Sequence, residues 1–137
     1  MGTPTPEQLY AYLSYDDATS ALDWLQAVGF QVVTRQEGAG GTVTHAEVRL
    51  GNVVLMIASA DAAYTVPTLR GQSTGSGIYL WMPASADVDS WHERALCAGG
   101  SSVISPEDTD WGSRRARVLD PEGHEWSAGT YRPGSTW

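Results

Sequence analysis

The chain has 137 residues, a formal net charge of −8 and 42% hydrophobic residues, the dimensions of one ordinary domain or of two small modules sharing a core. All of its basic residues are arginine, and the acidic balance argues against nucleic acid and anionic membrane as partners. No apolar run approaches the roughly 20 residues of a membrane helix, MGTPTPEQ lacks the basic and apolar segments of a signal peptide, and Cys97 alone forms no intrachain disulfide, so a cytoplasmic location is expected.

In LYAYLSY, residues 9–15, Leu9, Ala11 and Leu13 alternate with Tyr10, Tyr12 and Ser14, the period of a strand. Asp16 and Asp17 offer an N-cap. Ala18, Ala21, Leu22, Leu25 and Val28 follow at helical spacing, and Gly29 ends the helix. FQVVTRQ reads as a second strand and EGAGG as a turn. VTHAEVRL and VVLMIAS, joined by GN, read as a hairpin. Residues 60–76, rich in Pro, Gly and Ser, read as a linker. The order then returns. GIYLWM is a strand. Asp87 is expected to cap a helix with Val88, Trp91, Ala95 and Ala98 on its apolar side and Gly99–Gly100 at its end. SSVISPED, RRARVL and HEWSAGTY are strands, separated by the turns DWGS and DPEG.

Asp17, Ser20 and Gly29 correspond to Asp87, Ser90 and Gly99, and Ala46 and Val48 to Ala116 and Val118, a repeat of about 70 residues. One βαβββ unit is therefore used twice, as module one over 8–59 and module two over 77–131. The fold class is α+β. A lone unit leaves one face of its sheet uncovered, and two such faces can enclose a cleft.

Strand alternation assigns faces. Ala46, Val48 and Leu50 pack on the helix, which turns His45, Glu47 and Arg49 to the open face. Leu55 and Ile57 pack inward, leaving Val54 and Met56 open. Arg115 and Arg117 oppose Ala116 and Val118. Glu125 and Ser127 oppose Trp126 and Ala128. Tyr10 and Tyr12 share one open face, Tyr79 and Trp81 another, and Trp111 lies in a loop above it. Trp24, Trp91 and Trp126 are expected in the core. Such a set of Tyr, Trp, Met, His, Arg and Glu suits stacking on a planar ligand while holding its polar edge.

The motifs YDDATSALDWLQAVGF, THAEVRLGNVVLMIAS, DVDSWHERALCAGG and WGSRRARVLDPEGHEW, spanning Leu9 to Tyr131, resemble the vicinal oxygen chelate superfamily. That superfamily includes glyoxalase I, extradiol dioxygenases, fosfomycin-resistance enzymes and bleomycin-resistance proteins. The likeness is to the glyoxalase/bleomycin-resistance group. It implies a curved mixed sheet per module and a homodimer with two clefts. It also implies four strand positions where metal-dependent members carry ligands. In this chain they fall on Tyr10, on Met56, between Ile78 and Trp81, and on Ser127. None holds a carboxylate or imidazole, so no metal or other cofactor is expected.

GHEW is the remaining metal-like motif. His124 and Glu125 are strand neighbours on opposite faces, so His124 reads as a turn-edge residue. Glu125 reads either as a ligand contact or as an ion-pair partner of Arg115 or Arg117. His45 and Glu47 share one face and could act as a general base pair, or, with Glu125, as a displaced metal site. The plainer reading is a polar strand neutralised by Arg49. His92 is expected at the solvent face of its helix, and Cys97 as a small semi-buried residue. EGAGG precedes a strand, not a helix, so it is no phosphate loop. SRRAR is too short for nucleic acid.

The expectation is a metal-independent homodimer that binds and sequesters a bulky, partly aromatic small molecule, an antibiotic. The alternatives are a glyoxalase-like lyase or isomerase, or a dioxygenase, using His45 and Glu47, and a small-molecule binder with no resistance role. Trp81 and Trp111 are expected to carry affinity, each weakening it tenfold or more on truncation, against less than about threefold for His45.

Overall fold

The computed structural model describes residues 6–60 and 74–134, and the chain divides into two compact units, Met1–Ala63 and Tyr64–Trp137. The first contains β1 (Tyr12–Tyr15), α1 (Ala18–Ala27), β2 (Gln31–Glu37), a 3₁₀ turn (Ala39–Gly41), β3 (Val43–Leu50) and β4 (Val53–Ser59). The second contains β5 (Gly77–Trp81), α2 (Ser85–Cys97), β6 (Ser101–Asp108), β7 (Arg114–Leu119) and β8 (Glu125–Gly129). Each unit is a βαβββ module with one four-stranded mixed sheet, ordered β1-β4-β3-β2 in the first and β5-β8-β7-β6 in the second. The first strand of each pairs in parallel with the last, and the other pairings are antiparallel.

The internal repeat extends to helix-end geometry. Gly29 and Gly99 have φ of 115° and 110°. In the first unit Phe30 N–H donates to Leu25 O (3.0 Å) and Gly29 N–H to Gln26 O (3.1 Å). In the second, Gly100 N–H donates to Ala95 O (2.9 Å) and Gly99 N–H to Leu96 O (3.1 Å). Both are Schellman caps, which need a residue tolerant of the left-handed region at that place. The helix starts differ. Asp17 caps α1, accepting from Ser20 N–H at 3.0 Å. Asp87 does not cap α2: the N-cap is Ala84, without a side-chain bond, and Asp87 sits inside the first turn. There its charge still opposes the positive helix end, so an acidic residue at that spacing marks a helix start without marking its first residue.

The helix-facing positions are as expected: Ala46, Val48, Leu55 and Ile57 in one sheet, and Ala116, Val118, Trp126 and Ala128 in the other, are all buried. α1 packs on β3 and β4, and α2 on β7 and β8. Trp24, Trp91 and Trp126 lie in the core. Burying a large apolar side chain contributes about 1.5–3 kcal/mol each. Val43 joins the first core because a bulge at Thr44 (Gln36 pairs with His45, Glu37 with Val43) shifts the alternation by one residue.

Three further expectations are corrected. The first strand begins at Tyr12, not Leu9: the parallel pairing with β4 starts at Tyr12 and Met56, and Leu9, 90% exposed, alternates outside that pairing. His92 is 8% exposed and its Nε2 meets Ser102 Oγ at 2.8 Å. Because α2 also packs on β6, its buried stripe is wide enough to take Trp91 and His92 together. Cys97 is exposed, in the last turn of α2. No helix among the described residues is long and apolar enough to cross a membrane. The expected linker lies mostly outside the described residues.

Candidate functional site

Cross-strand register determines which side chains share a row. In the first unit Tyr12 pairs with Met56, and Met56 with Glu47. In the second, Tyr79 pairs with Ser127, Ser127 with Arg117, and Arg117 with Ile104. These are equivalent rows, each opening on a tyrosine. Glu47 and Arg117 stand 70 residues apart at the same place in their hairpins, as do His45 and Arg115, so one module carries an acid and a histidine where the other carries two arginines. The residue in register with Met56 is Tyr12. Tyr10 precedes the strand and is exposed.

In the first unit a pocket of about 190 Å³ is lined by Tyr12, Ser14, His45 and Met56 among others. His45 Nε2 lies 2.7 Å from Glu47 Oε2. Arg49 is not the partner of this pair in the way the plain strand reading supposed: its Nη2 donates to Gln31 Oε1 at 3.3 Å. The carboxylate therefore orients the imidazole, the arrangement a general base requires.

In the second unit a pocket of about 160 Å³ is lined by Tyr79, Trp111, Arg115, Arg117, Ser127 and Tyr131, with Ile104, Thr109, Ser113, Arg114 and Ala116. Its rim is a short loop. Thr109 Oγ1 accepts from Ser113 N–H (3.0 Å) and donates to Ser113 O (3.1 Å), and Gly112 turns at φ 82°. This closed loop holds Trp111 up, 62% exposed, with the Arg115 guanidinium 5.5 Å from its ring centre. Tyr79 Oη donates to Tyr131 O. Burial, more than any other influence, holds the Tyr79 phenol above its ordinary pKa of 10.0. Gly129 makes room for that ring, since a Cβ there would stand 2.5 Å from Tyr79 Oη.

The predicted set is thus divided. Tyr79, Trp111, Arg115, Arg117 and Ser127 meet at one pocket, and Tyr12, His45 and Met56 at the other. Trp81 lies outside both linings. Its Nε1–H donates to Thr130 O (3.1 Å), and Arg132 lies 4.8 Å over its ring. Glu125 also lies outside. Its side chain is 15% exposed, with Oε2 3.7 Å from Arg117 Nε and Oε1 within 3.5 Å of Thr74 Oγ1, which is the ion-pair role. Sequence reasoning missed Gly129 and Tyr131. A glycine inside a strand does signal close approach of another group, whereas nothing in the sequence points to a carbonyl past the strand end.

The opening tetrad of the DPEG turn also resolves. Asp120 is buried, and its Oδ1 accepts from Glu122 N–H and His124 N–H, both at 3.0 Å, while Oδ2 accepts from Trp126 Nε1–H at 3.1 Å. The carboxylate shapes the turn and anchors the core tryptophan of β8, so the acid in this motif is structural. Among the described residues, no group of three or more His, Cys, Asp or Glu side chains could hold a metal ion. The rows hold one carboxylate, Glu47, with His45 beside it in the first unit, and the phenols of Tyr12 and Tyr79, the Met56 thioether and the Ser127 hydroxyl do not complete a divalent-metal donor set around that pair.

Residues 8–128 match the family model described as Glyoxalase/Bleomycin resistance protein/Dioxygenase superfamily. The uncharacterized protein Rv0887c of Mycobacterium tuberculosis is 33% identical over 127 residues, covering 88% of this chain and 72% of its own length. TioX from Micromonospora sp. ML1 superposes with a TM-score of 0.70 at 31% identity, over 93% of this chain and 100% of that one. The fosfomycin resistance protein FosX from Mesorhizobium loti has the same fold, with a TM-score of 0.70 at 16% identity over 96% and 98% of the two chains.

Proposed function

The chain belongs to the Glyoxalase/Bleomycin resistance protein/Dioxygenase superfamily, and from that membership and its second-unit pocket we propose that it binds and sequesters a bulky, partly aromatic small molecule, an antibiotic, without a metal. The observation carrying this reading is the pocket of Tyr79, Trp111 and Tyr131 around Arg115, Arg117 and Ser127. Aromatic walls supply apolar contact, and a few fixed polar groups orient the ligand. Its volume, about 160 Å³, is below the roughly 300–1,000 Å³ of a drug-sized site, so it would take one ring of a larger molecule. The protein acts as a homodimer in the cytoplasm on this reading, a second copy covering apolar surface that a small module leaves open.

The test is a tryptophan fluorescence titration with a panel of aromatic antibiotics, followed by mass analysis of the recovered ligand. Saturable binding with unchanged ligand mass is expected. A ligand returned chemically altered would overturn sequestration. Light scattering is expected to give the mass of a dimer, and a monomer at micromolar concentration would overturn that part.

A second reading rests on one distance, the 2.7 Å between His45 Nε2 and Glu47 Oε2 in the first-unit pocket. An imidazole held by a carboxylate can remove a proton from a bound substrate, as a lyase or isomerase requires. If His45→Ala abolishes turnover of a substrate while Trp111→Ala leaves ligand binding intact, this second reading replaces the first.

A further inference from the structure

β7 presents three arginines with different commitments. Arg114 donates from Nε to Asp89 Oδ1 (2.6 Å) and from Nη1 to Asp108 Oδ1 (3.0 Å). Arg115 is held by Glu107, with Nε and Nη2 both 2.8 Å from Oε1. Arg117 differs. Its Nε–H donates to Ser127 Oγ at 2.9 Å, and Glu125 Oε2 lies 3.7 Å from that same nitrogen. Both neighbours engage the Nε side of the guanidinium, and among the described residues nothing accepts from Nη1 or Nη2. Arg117 nevertheless lines the pocket beside Tyr79 and Trp111, and Ser127 fixes the plane of its head group.

A guanidinium edge with two parallel N–H donors matches a carboxylate in geometry and charge. The pocket around it is aromatic. Tyr79 already gives its hydroxyl proton to Tyr131 O, so it offers the ligand its ring. We propose that the second-unit pocket selects an aromatic ring bearing a carboxylate, with the ring against Tyr79 and Trp111 and the carboxylate on the Nη edge of Arg117. A cavity of about 150 Å³ holds one benzene-sized ring, which the observed volume of about 160 Å³ matches. The inference rests on the small-molecule-binding reading and adds the class of group that is recognised. The Glu125 carboxylate makes no hydrogen bond to Arg117: its Oε2 lies 3.7 Å from Nε, and its other oxygen is near Thr74 Oγ1.

Benzoate and benzamide, which share a ring and differ in charge, are the probes. Each is titrated into the intact protein by NMR, following the indole N–H of Trp111. Benzoate is expected to bind at least tenfold more tightly than benzamide, and its binding alone to weaken as sodium chloride is raised. Arg117→Gln is expected to weaken benzoate tenfold or more while changing benzamide by less than threefold. Arg117→Lys, which keeps the charge and loses the planar pair of donors, is expected to fall between. Wild-type salt dependence needs no variant, so a misfolded Arg117→Gln leaves the test intact. Equal affinity for the two probes overturns the carboxylate inference and leaves aromatic binding standing. Shifts of Trp111 with neither probe overturn the inference, while the antibiotic panel separately decides whether the protein binds aromatic ligands at all.

Discussion

Replacing Asp120 tests whether the turn before β8 positions both the core and the site. Asp120→Ala removes the acceptor of Glu122 N–H, His124 N–H and Trp126 Nε1–H. Water can reach the two turn N–H groups, since Glu122 is exposed and His124 half-buried. It cannot reach the Trp126 indole, which is fully buried. A hydrogen bond to a charged group contributes about 1.5–3 kcal/mol, and stranding a buried donor costs about 1–3 kcal/mol. Counting the indole in full and the turn bonds as largely replaced by water, the loss is about 3–5 kcal/mol, at the upper end of single-residue effects. Asp120→Asn keeps the shape and one oxygen for the turn but sets an N–H₂ against the indole N–H, so about 2–3 kcal/mol is expected by the same scale. Urea unfolding followed by circular dichroism measures both, with the slope checked for constancy. In a Trp126→Phe background, which has no indole N–H, Asp120→Ala should lose at least about 1 kcal/mol less, a coupling between contacting residues. A loss under about 1 kcal/mol for Asp120→Ala in the wild-type background would refute the assignment of this carboxylate as the anchor of the turn and of Trp126.

Burial depresses the pKa of His92, and the Asp89 carboxylate opposes it without reversing the direction; the unfolded chain then binds more protons, so the stability contribution is present above the ordinary value of 6.5 and is lost as pH falls through the lower folded value. Unfolding midpoints measured from pH 7.5 to 5 should decline in the wild type and flatten over that window in His92→Gln (pH range set about the ordinary histidine value, roughly 6.5). Gly129→Ala places a methyl 2.5 Å from Tyr79 Oη, and should cost about 1–3 kcal/mol through overpacking while weakening ligand binding at the second pocket; a variant as stable as wild type that binds normally would show that Tyr79 is not held there. Trp111→Ala should weaken an aromatic ligand tenfold or more, about 1.4 kcal/mol per decade, because its exposed ring stands at the pocket rim; Trp81→Ala should change affinity less than threefold by the same conversion, because Arg132 covers its ring and Thr130 O holds its indole. Competition binding against one fluorescent aromatic ligand ranks the two, and the reverse order would move the site to Trp81.

The repeated order of elements, both helix ends and the inward faces of β3, β4, β7 and β8 were determined by sequence alone. The physical reason is locality: helical spacing, a glycine free to take positive φ, and strict alternation each act within a few residues. The same alternation was enough to turn His45, Glu47, Arg115, Arg117 and Ser127 away from the helices. Tertiary structure decided what alternation does not encode. Parallel pairing with β4 set where β1 begins and put Tyr12, not Tyr10, beside Met56. The width of the α2 contact buried His92, because a helix residue's exposure depends on how many strands lie beneath it. Trp81 and Trp111 looked alike in sequence, and only their neighbours separate them: a carbonyl and an arginine hold one at Thr130 and Arg132, and a closed loop raises the other over the pocket. Likewise the three arginines of RRAR are equivalent as letters. Which of them keeps its Nη donors uncommitted depends on where Asp89, Asp108, Glu107 and Glu125 fall in three dimensions, a distance-dependent matter that sequence spacing cannot supply.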